Sequence, residues 1–240
     1  MNQIRLFVDS PLDTDAEVRI GCLQAHYLQH VMRIGCGSEL IIFNGCGGEY
    51  EAEVTRTGKG EITCRVGSFL DVDRELYPAV HIVQAACRNE KIETVLQRGT
   101  ELGAASFQIV CSSRSDLRLD KGRRQSRLAR WQKILVEATE QSGRTLVPGI
   151  QWCKTPAAIE VRTPAYCLHP ESTLPWAEIR KQICLTPQLT FAIGPEGGWD
   201  KTDLGILKQK GFLTLCFGPR VMRTQTAAPA MLSAVQAVLT

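Results

Sequence analysis

The chain has 240 residues, of which 44% are hydrophobic and 22% charged, a profile that excludes a disordered or low-complexity protein. No apolar run approaches the ~20 residues that span a bilayer, and the start, MNQIRLFVDSPLD, lacks the apolar core of a secretory signal, so a cytoplasmic protein without membrane association is expected. The net charge of +3 is uneven: residues 1–73 carry 6 basic and 11 acidic side chains, residues 74–147 carry 13 and 8, and residues 148–240 carry 9 and 6.

At this length two modest domains are the commoner solution. The first seventy residues read as strands at Ile4–Val8, Glu39–Phe43, Glu49–Arg56 and Glu61–Val66, interrupted by one helix at about Leu23–Met32. Asn44-Gly45-Cys46-Gly47-Gly48 and Thr57-Gly58-Lys59-Gly60 are tight connections that call for positive φ. Together these predict a small β-barrel domain, and Asp71–Glu75 followed by Tyr77-Pro78 reads as the linker.

Beyond Ala79 strands and helices alternate. Val80–Ala86 reads as an apolar strand buried on both faces. Lys91–Leu102 is an amphipathic helix closed by Gly103, and Phe107–Cys111 is a strand. Arg123–Gln141 is a long helix with Leu128, Trp131, Leu135 and Ala138 on one stripe. Strands at Ala165–Leu168, Leu189–Ile193 and Leu213–Phe217 follow, with helices at Thr202–Lys210 and Ala227–Leu239. This alternation predicts an α/β domain with a mostly parallel sheet.

The ten cysteines include no Cys-x-x-Cys pair, so no metal is expected; Cys87, Cys111, Cys184 and Cys216 lie in apolar stretches, where a thiol serves as a small hydrophobe. Without an export signal a disulfide framework is not expected either. A basic cluster spans 111–133, with Arg114, Arg118, Lys121, Arg123, Arg124, Arg127, Arg130 and Lys133 against Asp116 and Asp120. It suits a polyanion such as RNA, and equally a solvated helix face.

Two glycine-bearing loops stand out. Ile193-Gly194-Pro195-Glu196-Gly197-Gly198-Trp199 leaves a strand and enters a helix, the position where α/β sheets bind ligands. Its backbone can approach a ligand, and the amides of the following helix can serve an anion, but it lacks both the P-loop and the G-x-G-x-x-G spacing. The second, Leu215 to Ala228, joins a strand to the last helix, with Thr224 or Thr226 as its N-cap.

Several blocks, in order along the whole chain, carry a resemblance. They are Arg5-Leu6-Phe7, His26–Arg33, Lys91 through Glu101-Leu102-Gly103, Ser113-Arg114-Ser115, Arg130–Ile134, Glu140-Gln141-Ser142-Gly143-Arg144 with Val147-Pro148, Leu168-His169-Pro170, Gly194–Gly198, and Gly218–Thr226. The chain resembles the RsmE-type 16S ribosomal RNA uridine-N3 methyltransferases of the SPOUT superfamily. The GPEGG and GPRVMRT pair is the most specific part of the match.

That resemblance implies a PUA-like β-barrel over 1–73 and, over 74–240, a trefoil-knotted α/β methyltransferase domain that forms a homodimer. It implies S-adenosylmethionine as cofactor, held by three loops: Leu168, His169 and Pro170; Gly194, Pro195, Glu196, Gly197 and Gly198; and Phe217, Gly218, Arg220, Val221, Met222, Thr224 and Ala227. The partner implied is 16S ribosomal RNA or the small ribosomal subunit, methylated at uridine 1498. Uridine N3 is nucleophilic only as its anion, so the site must stabilise that anion, remove the proton, or both. Arg223 is the first candidate for stabilising it, with Arg114 and Arg144 as further candidates; an arginine's planar fork suits a flat polar edge. Glu101 and Glu196 are candidate bases, or else a helix carboxylate and a loop-holding carboxylate. His26 and His30 read as packing or RNA contacts, and Trp199 as packing or an RNA-stacking ring. Arg5, Arg19 and Arg33 are candidates for a basic face on the otherwise acidic first domain. The family usually carries glutamate where this chain has Gln225, and lysine where it has Arg98.

Overall fold

The computed structural model describes residues 4–115 and 120–239. Asp116 and Arg118 of the basic cluster lie outside the described residues, and nothing is described of the Lys121 side chain. The chain forms two units: residues 4–74 with Thr139–Val147, and Glu75–Ala138 with the chain from Pro148 onward.

In the first unit β1 (Arg5–Phe7), β2 (Glu17–Ile20), β3 (Glu39–Phe43), β4 (Glu49–Gly58) and β5 (Glu61–Leu70) form a sheet in the order β1-β3-β4-β5-β2. The β1–β3 pair is parallel and the other pairs are antiparallel. Register shifts between Tyr50/Ala52 and Val54/Arg56 mark bulges, which add twist and coil this sheet into a half-barrel. Its core holds Leu6, Ile20, Leu40, Ile42, Val54 and Ile62, covered by Ala25 and Leu28 from α1 (Cys22–His30). β2 was not expected from the sequence: with four residues, its alternation of exposed Glu17 and Arg19 with buried Val18 and Ile20 is too brief to stand out. In the β3–β4 connection Gly48 has φ +65°, and a Cβ there would meet the Phe69 ring at 2.2 Å.

Arg5 is the hub of this unit. Its guanidinium donates to Glu49 Oε2 at 2.6 Å, to the Glu140 carbonyl at 2.9 Å and to the Arg144 carbonyl at 2.9 Å, and it lies 4.7 Å from the Phe43 ring centroid. Glu140 Oε1 accepts from Phe7 N at 2.7 Å, and Arg74 donates to the Gly143 carbonyl. The segment after residue 138 is therefore stitched onto β1, and Leu146 bridges to Cys46 in the β3–β4 connection. The expectation that Arg5 offers a basic face to RNA is corrected here, because its side chain is only 14% exposed and is spent on this network.

The second unit contains β6 (Ala79–Ala85), α2 (Asn89–Glu101), β7 (Ala104–Val110), α3 (Lys121–Ser142), β8 (Gly149–Cys153), β9 (Ala165–Leu168), α4 (Trp176–Ile183), β10 (Gln188–Ile193), α5 (Lys201–Gln209), β11 (Phe212–Leu215) and α6 (Thr224–Leu239); the end of α3 counts with the first unit. Its six strands are all parallel, in the order β11-β9-β10-β6-β7-β8. β6, first in sequence, lies between β10 and β7. The order therefore reverses there, and such switch points are where open α/β sheets take ligands.

α2 buries Ile92, Val95, Leu96, Gly99 and Thr100, a helical stripe, and Gly103 follows it with φ +90°. α3 buries Trp131, Leu135 and Ala138, with Leu128 half-buried. Two strand-level expectations change. β6 is not wholly apolar: it carries His81 and Gln84, the latter fully buried. β8 and α4 were not foreseen, since β8 mixes Gly149 and Gln151 with apolar residues and α4 has only eight residues. Among the cysteines Cys64, Cys87, Cys153 and Cys167 are buried, and burial pushes the Cys64 and Cys153 thiols up to about 11. Cys184, expected to be interior, is exposed. Among the described residues no helix is long and apolar enough to cross a membrane.

Candidate active site

The carboxyl ends of β9, β10 and β11 open onto one cavity of about 690 Å³, a size suited to a small-molecule ligand. The loop after β9 and the loop after β11 are zipped together. His169 N donates to the Leu215 carbonyl at 2.9 Å, Cys216 N to the Leu174 carbonyl at 2.8 Å, and Trp176 N to the Cys216 carbonyl at 3.1 Å. Ser172 Oγ adds a bond to the Thr214 carbonyl at 2.8 Å. The loop after β10 turns tightly, with Gly198 N donating to the Pro195 carbonyl at 2.9 Å and Gly198 at φ +68°. It then enters α5, where the Asp200 carboxylate caps the helix by accepting from Asp203 N at 2.7 Å. That backbone N–H holds the Asp200 carboxyl below its usual range. The amides at this helix start therefore serve the chain's own carboxylate, which corrects the expectation that they face a ligand anion.

All fifteen residues of the three expected cofactor loops line this cavity: Leu168, His169 and Pro170, Gly194 to Gly198, and Phe217, Gly218, Arg220, Val221, Met222, Thr224 and Ala227. Arg114 and Arg223 line it too. Arg114 Nη1 donates to the Gly197 carbonyl at 2.7 Å, so one of its donors anchors the loop. Arg223 is exposed, and its carbonyl receives Thr226 N and Ala227 N, which places it just before the first residue of α6. Thr224 is the first helical residue and is buried; its hydroxyl donates to the Gly194 carbonyl at 2.8 Å instead of capping the helix.

Glu196 accepts from Lys91 Nζ at 2.9 Å. Burial pushes its carboxyl up, but the lysine and backbone N–H donors outweigh that and hold it below the usual carboxylate range. It is thus a loop-holding anion and a weak base. Glu101 and Arg144, assigned to catalysis on the sequence, do not line the cavity. Glu101 sits exposed at the end of α2, accepting from Gln97, and Arg144 is 3% exposed in the first unit, where its carbonyl binds Arg5. The His26 and His30 rings pack at a tilt of 45°, with centroids 4.4 Å apart, and no group of three potential metal ligands occurs among the described residues. Trp199 packs: it is 4% exposed and lies 3.3 Å from where a Cβ on Gly194 would stand, so it is not open to a base.

The cavity also includes Trp199 and Cys216 from the two glycine-bearing loops, and Lys91 and Glu171, which were not expected there. Lys91 follows β6 at the start of α2, and its position just past a strand end was the available signal. With Lys91, Arg114, Arg220 and Arg223 against Glu171 and Glu196, the rim carries an excess of positive charge, suited to an anionic substrate.

The family model described as RNA methyltransferase domain matches residues 74–236, and that described as RNA methyltransferase PUA domain matches residues 24–67. Sheet, cavity and these matches define an RNA methyltransferase. More narrowly, the chain belongs to the ribosomal RNA small subunit methyltransferase E family. The Synechocystis sp. member is 30% identical over 98% of this chain and 78% of its own length, and the Bacillus subtilis member 30% identical over 88% and 86%. Among solved structures, a methyltransferase from Legionella pneumophila in complex with the cofactor SAM superposes with a TM-score of 0.90 at 28% identity, covering 99% of this chain and 98% of that one. The ribosomal RNA small subunit methyltransferase E from Neisseria gonorrhoeae bound to S-adenosyl methionine gives 0.89 at 25% identity, with 99% and 98% covered.

Proposed function

We propose that this enzyme binds S-adenosylmethionine in the three-loop cavity and methylates N3 of a uridine in 16S ribosomal RNA, at the position the family resemblance gives as 1498. The observation that carries the reading is the convergence of all three loops on one cavity at the switch side of a parallel sheet. The residues fit the cofactor: the volume suits it, Phe217, Val221 and Met222 line it beside the glycines of the two loops, and the start of α5 is already capped by Asp200, as befits a ligand without phosphate. Both solved relatives described above hold the same molecule.

S-adenosylmethionine supplies an electrophilic methyl group on a sulfonium. The chain's own task is to align and ionise the acceptor. Alignment of reacting atoms is worth roughly 7 kcal/mol or more in favourable cases. Arg223, exposed at the rim, favours the uridine anion over its neutral form by placing positive charge against O2 or O4. Arg114 holds the Gly197 carbonyl and with it the loop, and Lys91 and Glu196 brace the opposite side of that loop. The exposed cations of α3, among them Arg123 and Lys133, extend the positive surface for RNA phosphates. The family resemblance further supports a homodimer, a trefoil-knotted second domain, domains divided near residue 73, and a cytoplasmic enzyme acting on ribosomal RNA or the small subunit.

The test is nucleoside mass spectrometry of 16S ribosomal RNA from a strain lacking its own copy of such an enzyme, before and after incubation with this protein and labelled S-adenosylmethionine. One N3-methyluridine per RNA, mapped to a single position, is the expected result. Label in another nucleoside, or none, overturns the proposal.

A further inference from the structure

Gln84 interrupts an apolar strand. Ile82, Val83, Ala85, Ala86 and Cys87 are all fully buried, and so is Gln84. The register of β6 against β10 sets it beside Ile193, at the point where β10 gives way to the Gly194 loop. Its Nε2 donates to Thr224 Oγ1 at 2.8 Å and to the Ala85 carbonyl at 3.0 Å, and Thr224 Oγ1 donates onward to the Gly194 carbonyl at 2.8 Å.

The direction of this chain is determined. A side-chain amide has two N–H protons, and both are in use. A hydroxyl has one, and because Thr224 accepts from Gln84, that proton is committed to Gly194. Pro195 follows Gly194 and brings no N–H of its own, so the relay fixes a peptide plane that backbone bonding at Pro195 cannot. Gln84 Oε1, in contrast, is buried without a partner among the described residues. An apolar side chain of the same shape would avoid that desolvation penalty, so burying the amide makes sense if the donor is needed.

We infer that Gln84 is a positioning residue for the cofactor. Through Thr224 it locks the Gly194 carbonyl, and so holds together two cavity-lining loops that come from opposite ends of the α5–β11 segment. The inference rests on the proposal that this cavity takes S-adenosylmethionine. A locked pair of loops presents its backbone groups without reorganisation on binding, so removal of the relay weakens cofactor affinity more than turnover.

The experiment compares Gln84→Met, Thr224→Val, their double variant and Thr224→Ser with the wild type. It measures the Kd for S-adenosylmethionine by calorimetry, kcat and KM in methyl transfer, and a melting curve for each. Gln84→Met and Thr224→Val each raise Kd and KM about tenfold, the effect of losing a hydrogen bond worth about 1.4 kcal/mol, with a much smaller change in kcat. The double variant shows the same tenfold loss and not the hundredfold of independent sites. Thr224→Ser, which restores the hydroxyl, returns Kd towards the wild-type value. Folded variants that bind as the wild type does, or losses that multiply in the double variant, overturn the inference; the Thr224 pair decides it even if Gln84→Met unfolds. Failure of the wild type to bind overturns the cofactor proposal itself, an outcome separate from wild-type binding with unaffected variants.

Discussion

Substituting methionine for Arg5 retains most of the apolar stem and removes the guanidinium that organises the first unit. Three backbone carbonyls, those of Thr139, Glu140 and Arg144, each lose a donor, and Glu49 loses its closest counter-charge. The Glu49 side chain is 6% exposed, so its carboxylate stays buried, with Arg74 at 3.5 Å as a longer-range partner. Removing one member of a buried ion pair costs about 3–5 kcal/mol, and with Arg74 compensating in part we expect about 4 kcal/mol for Arg5→Met. A second substitution, Glu49→Met, removes the stranded carboxylate, and the double variant is expected to be more stable than Arg5→Met alone. Urea unfolding followed by circular dichroism is the appropriate assay, because all four tryptophans lie in the second unit and their fluorescence is blind to the first. A loss below about 1 kcal/mol, the size of an exposed pair, would return Arg5 to the surface cations.

Three further outcomes are expected. Arg223→Ala lowers kcat for methyl transfer by about a hundredfold or more while S-adenosylmethionine affinity stays within a few-fold, checked by single-turnover assay and calorimetry; unchanged turnover removes Arg223 from the mechanism. Gly99→Ala gains about 1 kcal/mol of helix propensity but drives a Cβ to 2.8 Å from the Phe107 ring, so a net destabilisation of about 1–2 kcal/mol is expected in urea titration. Burial, aided by the Arg162 charge, holds the His81 imidazole below its ordinary 6.5. The unfolded chain then binds that proton more readily, so His81 makes stability fall as pH drops below about 6.5, and His81→Asn should narrow the difference between melting curves at pH 7 and pH 5. An equal difference in both proteins would contradict it.

Much of the architecture was legible because the segments are periodic or strongly apolar. β3 and β9 match their expected bounds, and the α2 stripe follows from spacing alone. The misses share a cause: β2, β8 and α4 are short, and their charged or polar residues carry the local pattern while tertiary burial decides the element. At the site, two glycine-bearing loops at strand ends were readable as ligand loops, but their convergence with Leu168–Pro170 depends on β9 lying between β10 and β11, an order no local signal gives. Arg144 illustrates the converse. Its place in a matched block suggested chemistry, whereas the fold uses that block to bind the chain onto β1. Gln84 was passed over inside a strand read as apolar throughout, and what it holds became visible only with the β6–β10 register.

Calorimetric titration of S-adenosylmethionine into the wild-type protein, with S-adenosylhomocysteine as competitor, asks whether the cavity between the three loops takes the cofactor. Saturable binding of one cofactor per chain, displaced by the competitor, is the predicted result. A flat titration at millimolar cofactor, with the protein shown to be folded, would contradict it.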